Sequence, residues 1–550
     1  MKKYILFVFI IMSLSLFGET LKLDLMFTND VHGGIDAYGA TFMNPQFPPT
    51  LGGGASAATY INSVRKKSDK IHRDNLLLDD GDIYQGHPIG SVTRGIAVVK
   101  YMNWIKYDLT VPGNHEFDNG VESLKKTYSL LNFPVLSCNI VYKGTDKIVD
   151  FVKPYIIIEK LGLRIGIIGV TTTDTKKMSF TKNIEGIDFL PAKPALEKWI
   201  KIVRDKGVDL LFVDGHMGIP YNPQAAYDLT YKSKKKAKRY WGYNAIELAH
   251  EVKGIDVFFA GHIHKGFKKP WEDPITHTLV LQGYAYGSNV GHLILDIDKD
   301  TKTISGYELP SKSDGDLVTL FQDEFIPNKT IGTKINQMQK KAEKGMDEII
   351  GEAGVDLTRD GVDSQNIIGN VVTEAMKDEV NADFSFINLG GIRSDIQRGP
   401  VTYRQIFNVM PFDNQIVGID VDGLTLKKII ETRISHHHHG LRVSGCNIVY
   451  SRKRPNFDRI TKLLIGGKPW QPHKHYKIVT TDFLLQGNAG LSMLTKIPES
   501  QITRYGTSLR QAIANYFRHH SPVVSQIDDR WRRDDDAKMT PELKKALNKK

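Results

Sequence analysis

The sequence predicts an α/β protein of two domains joined by a helix. Three observations carry that expectation. The chain has 550 residues, more than one ordinary hydrophobic core accommodates. Up to about residue 315 it alternates helical patterns with the apolar runs LKLDLMF, NLLLD, LRIGIIGV, VDLLFV and IDVFFA. Continuous runs of that length read as strands buried on both faces, with helices packed outside. A second stretch of the same character begins near residue 350. Charged residues make up 25% and hydrophobic residues 41%, a globular balance.

Taken in order, residues 1–18 begin with Lys2 and Lys3, continue in an apolar run and end on the small residue Gly18. This predicts a cleaved secretory leader and a periplasmic or secreted mature protein. Leu16 stands where a small residue is preferred, so an uncleaved anchor is the alternative, although the run is short for a membrane span. No Cys follows it, which argues against a lipid anchor, and no later segment is apolar enough to span a membrane. The first α/β domain is expected over 20–315. It carries a basic insertion, YKSKKKAKRYWGYN (231–244), read as a solvated loop or as a lip over an anionic substrate. A connector is expected over 316–349, where TIGTKINQMQKKAEKGMDEIIGEA reads as a solvated helix. The second α/β domain spans 350–530, and 531–550 form a charged tail with the pattern of a frayed helix. The run His436 to His439 reads as a surface loop with incidental metal affinity.

The net charge of +11, or +9 without Lys2 and Lys3, suits anionic substrates or surfaces, and equally a generally basic secreted protein. No basic stripe interleaves with aromatic residues, so no nucleic-acid partner is expected. The two cysteines, Cys138 and Cys446, exclude a disulfide framework and read as buried thiols.

The chemistry gathers at strand ends. LMFTNDVH ends in Asp30 and His32, LLLDDGD in Asp82, LTVPGNHE in Asn114 and His115, LLFVDGH in His216, and VFFAGHIH in His262 and His264. The carboxyl ends of strands are where open α/β sheets bind ligands. The pairs Asp30/His32 and His262/His264 are spaced i, i+2, which in an extended segment puts both side chains on one face. Neutral imidazole and carboxylate suit Zn²⁺ or Mn²⁺. Seven such groups exceed the needs of one ion. With Asp82 shared, they suit a pair of ions about 3.5–4 Å apart, the arrangement that clamps attacking and leaving oxygens in phosphoryl hydrolysis.

The set DVH, GD, GNHE, GH and GHIH resembles the calcineurin-like metallophosphoesterases, in the order found in their 5′-nucleotidase branch. INLGGIRSDI, VMPFDNQIV and YKIVTTDFLLQGNAG resemble that branch's C-terminal domain. The resemblance covers nearly the whole mature chain. It implies a four-layer α/β/β/α metal-binding sandwich, a C-terminal α/β substrate domain, and two divalent ions, Zn or Mn. One ion would be held by Asp30, His32, Asp82 and His264, the other by Asp82, Asn114, His216 and His262. His115 would face the substrate phosphate, oriented by Asp118, with Glu116 in a supporting role. Phe412 and Phe483 would sandwich the base, and Asn388, Arg393 and Asn414 would line the same pocket.

Two departures bear on specificity. Ala489 occupies the position of an acidic residue that accepts hydrogen bonds from ribose hydroxyls in the family, with Asn488 as a conceivable substitute. Val362 aligns with a family Arg, and Arg359 is displaced from it. The resemblance therefore implies a phosphohydrolase acting on nucleotides or similar esters. 5′-Nucleotidase, 2′,3′-cyclic phosphodiesterase and UDP-sugar hydrolase activities all stay open. A thiosulfohydrolase and a catalytically silent binding protein are more distant alternatives. The oligomeric state has no signature in the sequence. The resemblance also implies a hinge rotation between the domains.

Overall fold

A computed structural model describes residues 19–40, 42–44, 46–233, 242–313, 315–362, 365–435 and 440–548. The leader segment, the core of the basic insertion and the His436–His439 run lie outside the described residues.

The first half contains two sheets packed face to face. In one, Thr20–Thr28 lies at the centre, parallel to Asp74–Asp79 and antiparallel to Asn289–Asp298. Leu109–Thr110 extends it parallel on one side, and Ile304–Glu308 and Leu317–Thr319 pair with Asn289–Asp298 on the other. In the second sheet Leu163–Thr171, Leu210–His216, Val257–Ala260 and Leu279–Gln282 run parallel, with antiparallel edges at Tyr155–Lys160 and Trp271–Glu272.

Alternation along these strands builds the layers. Leu23, Leu25, Phe27, Leu76 and Leu78 meet Ile165, Ile167, Phe212, Val257 and Phe259 in one core between the sheets. Met26 and Leu77 point the other way, onto helices Gly53–Lys70 and Ile96–Ile105. Ile168, Val213 and Phe258 pack on helices Ala192–Arg204 and Ala245–Glu251. The result is the four-layer α/β/β/α sandwich. Both faces of both sheets are covered, which is why the strands read as unbroken apolar runs.

Asn328 caps helix Lys329–Ala342 through its side chain on Ile331 N. This helix is half-buried rather than fully solvated, because Ile331 and Ile335 join the core beneath Gly53–Lys70. It stops at Ala342, and Ile349–Ala353 starts a new strand instead of continuing the expected helix. Leu317–Thr319 also carries the first sheet past residue 315.

The second half holds a five-stranded sheet ordered Arg442–Ser444, Phe384–Ile387, His475–Thr481, Gln415–Asp422, Ile502–Ser508. Helices Ile367–Val380 and Leu509–His520 cover one face. Helix Gly423–Ser435 and a four-stranded sheet cover the other. The charged tail departs from expectation at its start. Trp531–Arg533 pairs in parallel with Cys446–Tyr450 as an edge strand of the smaller sheet, and Trp531 is buried. Among its described residues the helix is Pro541–Asn548, and it docks through Leu543. Burial of one large indole outweighs the charge pattern around it. Cys138 and Cys446 are free, buried thiols.

Candidate metal centre and substrate pocket

The strand ends converge into two clusters. Asp30, His32 and His264 form one, and Asp82, His216 and His262 the other, with potential ligand atoms within 4.8 Å of one another in each. His32 Nε2 lies 2.9 Å from His264 Nε2 and 3.9 Å from Asp82 Oδ2, so Asp82 sits between the clusters. His216 Nε2 is 3.0 Å from Asp82 Oδ2, and His262 Nδ1 is 3.3 Å from His216 Nε2. Asn114 is buried beside them.

The backbone differs from the extended geometry that the i, i+2 spacings suggested. Asp30, His32, Asp82, His262 and His264 all have left-handed φ, between 47° and 80°. Non-glycine residues adopt that region at a cost, and such strain concentrates at functional sites. Asp30 and His32 still reach one cluster, but His262 and His264 are sent to different ones. Close packing helps to hold these turns. At Gly113 a Cβ would fall 2.2 Å from Asp82 Oδ1.

Outer contacts orient the candidate ligands. His32 Nδ1 bonds the Gln85 carbonyl at 2.5 Å and His216 Nδ1 the Asp80 carbonyl at 2.7 Å. With Nδ1 so engaged, Nε2 of each ring is the nitrogen turned toward the cluster. Glu116, buried, accepts from Asp82 N, Ile83 N and Gly113 N at 2.9, 2.8 and 2.6 Å, so one carboxylate pins two strand-end turns together.

The donor set fits cations. Asp30 Oδ1 and Asn114 Oδ1 are buried with no hydrogen-bond partner. Imidazole nitrogens face each other at 2.9 Å between His32 and His264, and His216 faces the Asp82 carboxylate at 3.0 Å, spacings that a shared proton or a cation satisfies. The titration behaviour agrees. Burial opposes ionisation of Asp82, yet neighbouring His216 and His115 hold its carboxyl well below the usual range. Burial likewise opposes charge on His216, but Asp82 pushes it up to about 10, while burial and His216 drive His262 down to about 4. The carboxylates thus favour positive charge beside them.

His115 belongs to neither cluster. Its backbone N donates to Asp82 Oδ1 at 2.8 Å, and its Nδ1 is 2.7 Å from Asp118 Oδ2. Burial would lower its pKa, but Asp118 and Asp82 raise it above the ordinary value. The pair comes from one 3₁₀ turn, His115–Phe117, with Asn183 Nδ2 donating to the Asp118 carbonyl at 2.6 Å.

The second half approaches this site directly. Phe412 stacks on His115, with centroids 5.4 Å apart and planes 21° apart, and the Arg393 guanidinium lies 5.6 Å from the Phe412 centroid. Phe483 meets Phe180 edge to face at 6.0 Å, and Thr181 N donates to Gln486 Oε1 at 3.2 Å. Asn414 Nδ2 reaches Asp482 Oδ1 at 3.4 Å, and Asn388 precedes the turn Leu389–Gly391. Arg393 Nη1 donates to the Gly390 carbonyl at 3.3 Å.

The departures also resolve physically. Ala489 sits at φ 53°, its carbonyl gripped by the buried Arg433 guanidinium. Asn488 Nδ2 donates to the Phe483 carbonyl at 2.9 Å, so that amide nitrogen is engaged inside the loop rather than free to replace a sugar-binding carboxylate. Val362 is exposed, and Arg359 pairs with Asp395 at 3.1 Å. Sequence reasoning passed over Gln85, Asp80 and Tyr286. The first two act through carbonyls that residue type does not reveal. Tyr286 packs its ring 5.4 Å from both His32 and His264.

Two family models match the chain: Calcineurin-like phosphoesterase over residues 23–266, and 5′-nucleotidase, C-terminal domain, over 348–496. A 5′-nucleotidase of Vibrio parahaemolyticus is 27% identical over 92% of this chain and 90% of its own length. Endonuclease YhcR of Bacillus subtilis is also 27% identical over 85% of this chain, but the match spans only 37% of that longer protein. A crystal structure of a 5′-nucleotidase precursor from Thermus thermophilus superposes with a TM-score of 0.78 at 24% identity, covering 93% of this chain and 99% of that one. Among the described residues no helix is long and apolar enough to cross a membrane.

Proposed function

The chain belongs to the 5′-nucleotidase family of calcineurin-like phosphoesterases and is a metal-dependent phosphoric ester hydrolase, and from that premise we propose that it cleaves phosphate esters of nucleotides at a two-metal centre. The observation that carries this reading is the contact of Phe412 with His115. It brings an aromatic platform suited to a nucleobase against the residue best placed to meet a phosphate.

Asp30, His32, Asp82 and His264 would hold one ion, and Asp82, Asn114, His216 and His262 the other. Two divalent ions, Zn or Mn, would activate the water that attacks phosphorus in line and neutralise charge on the phosphate. His115 would donate from Nε2 to a phosphate or leaving-group oxygen, since Asp118 occupies its Nδ1. A raised pKa keeps that donor available near neutral pH. Phe412 and Phe483 would hold the base, Arg393 would meet anionic or hydroxyl groups beside it, and Asn388 and Asn414 would shape the pocket. Ala489 leaves the ribose without its customary carboxylate, so sugar recognition is looser than in the wider family. Cleavage of residues 1–18 and export from the cytoplasm complete the reading, with the first domain running on through Leu317–Thr319 and the second reaching from Ile349–Ala353 to Trp531–Arg533.

The test is a panel of AMP, ATP, UDP-glucose and 2′,3′-cyclic AMP, assayed with Mn²⁺ or Zn²⁺ for released phosphate or nucleoside. Strong turnover of one class supports the reading and names the substrate. Absence of turnover on all four, with two ions bound per chain, removes nucleotides as substrates.

A further inference from the structure

The turn that wraps His32 also reaches across to the second half. After Asp82 the chain runs Ile83, Tyr84, Gln85, Gly86, His87. His32 N donates to the Asp82 carbonyl, Gly33 N to the Ile83 carbonyl and His87 N to the His32 carbonyl, at 2.9, 2.9 and 2.7 Å. His32 Nδ1 closes the ring of contacts on the Gln85 carbonyl. Gly86 cannot be replaced without disturbance, because a Cβ there would fall 2.5 Å from the His32 carbonyl. Gln85 is therefore fixed by its backbone to a metal-ligand candidate, and its side chain, only 6% exposed, has little freedom.

That side chain points at the loop carrying Phe412. Gln85 Nε2 donates to the Pro411 carbonyl at 2.8 Å. The flanking carbonyls are taken within the second half itself, since Arg510 Nη1 donates to Met410 O at 3.2 Å and Phe412 O at 2.9 Å. The Pro411 carbonyl is thus the one this loop offers across the interface, and Gln85 is the buried donor that takes it. A second polar contact between the halves, Thr181 N to Gln486 Oε1, is longer and lies at the exposed rim.

We propose that Gln85 is a positioning residue that ties the seat of the nucleobase platform to the metal-ligand turn, so that Phe412 is held against His115 only when the two halves are docked. It acts through Phe412 rather than on the reacting atoms. This deepens the reading under Proposed function and rests on it. A base-bearing substrate uses the platform, and a small aryl phosphate does not. Loss of one buried hydrogen bond is worth about a three- to tenfold change in an equilibrium.

The experiment compares wild type, Gln85→Ala and the near-isosteric Gln85→Met, each with its metal content and melting curve measured. The first readout is the ratio of kcat/KM for the nucleotide to kcat/KM for p-nitrophenyl phosphate. That ratio is expected to fall about three- to tenfold in both variants, mainly through KM for the nucleotide. A purely structural role would lower both values together and leave the ratio unchanged, and that result overturns the proposal. The second readout needs no turnover. With Thr181→Cys and Gln486→Cys introduced, a short bis-maleimide reports how often the halves meet, because Cys138 and Cys446 are buried. Gln85→Met is expected to slow cross-linking at least threefold, and an equal rate overturns the proposal. If wild type turns over no nucleotide, the functional reading fails while cross-linking still decides the role of Gln85.

Discussion

The rings of His115 and Phe412 stack with centroids 5.4 Å apart, although the two residues lie in different halves of the chain. The same imidazole is held from behind by Asp118, 2.7 Å from Nδ1. One residue thus meets the turn carrying Asp82, the Asp118 carboxylate and the Phe412 ring. Truncating it should damage chemistry more than metal binding. His115→Ala is expected to lower kcat by about 10²–10⁴-fold, the usual weight of a positioned acid–base group, with unchanged bound metal by elemental analysis. Asp118→Asn should cost less, about 10–10²-fold, because it frees the ring without removing it. An equal kcat in wild type and His115→Ala would take this residue out of the mechanism.

If Phe412 seats the base as proposed, its loss separates base recognition from hydrolysis. Stacking on an aromatic ring is worth about 1–3 kcal/mol per base, so Phe412→Ala should raise KM for a nucleotide about five- to 150-fold. Turnover of p-nitrophenyl phosphate should fall far less. Steady-state kinetics on the two substrates decides the matter, and a matched loss on both would assign Phe412 to packing around His115.

Much of this architecture is legible in the residues themselves. Each candidate ligand follows an apolar run and stands near a glycine, so Asp30, Asp82, Asn114, His216 and His262 mark strand ends without any structure. The four layers follow from runs too uniformly apolar to have a wet face. What escapes is whatever acts through the backbone. Asp80 and Gln85 orient imidazoles with carbonyls, which any residue type supplies. The left-handed turns at five candidate positions are not announced by residue type either, although Asp and His tolerate that region better than most residues. Trp531 is another such case. Its burial depends on a strand partner, Cys446–Tyr450, more than 80 positions earlier, which local charge patterning does not register.

Glu116 should govern metal affinity without touching a metal. Its two oxygens accept three backbone N–H groups from the turns that carry Asp82 and Asn114. Glu116→Gln places an amide NH₂ where an acceptor is needed and loosens both turns. Metal affinity is expected to fall about 10–100-fold, as for other orienting partners of ligands, measured by competition with a chromogenic chelator. Full retention of affinity would reduce Glu116 to a packing residue.

Chelation gives an independent handle on the clusters. Orphaned acceptors at Asp30 and Asn114, with facing imidazoles, make the cation-free site unfavourable. Removing metal should abolish turnover, and adding Mn²⁺ or Zn²⁺ should restore it. Ions at 100 times their dissociation constant should stabilise the fold by about 2.7 kcal/mol per site, seen as a raised Tm by scanning calorimetry. A Tm indifferent to both metal and chelator would mean that these groups hold no ion.

Asp316 sets a pH dependence remote from the metal ligands. Both its carboxylate oxygens are buried without a partner, and burial pushes its pKa up to about 8. In the unfolded chain the same group titrates near 3.8. The native state therefore holds the proton more tightly between those values. Its contribution to stability is fully present below about pH 4 and is lost as pH rises toward and past 8. Asp316→Asn removes the titration while keeping the shape. The variant is expected to match wild type near pH 4 and to exceed its Tm by several degrees at pH 9, as a neutral amide avoids burying a charge. Melting curves at pH 4, 7 and 9 test this, and parallel profiles for the two proteins would show that Asp316 ionises as freely in the fold as in water.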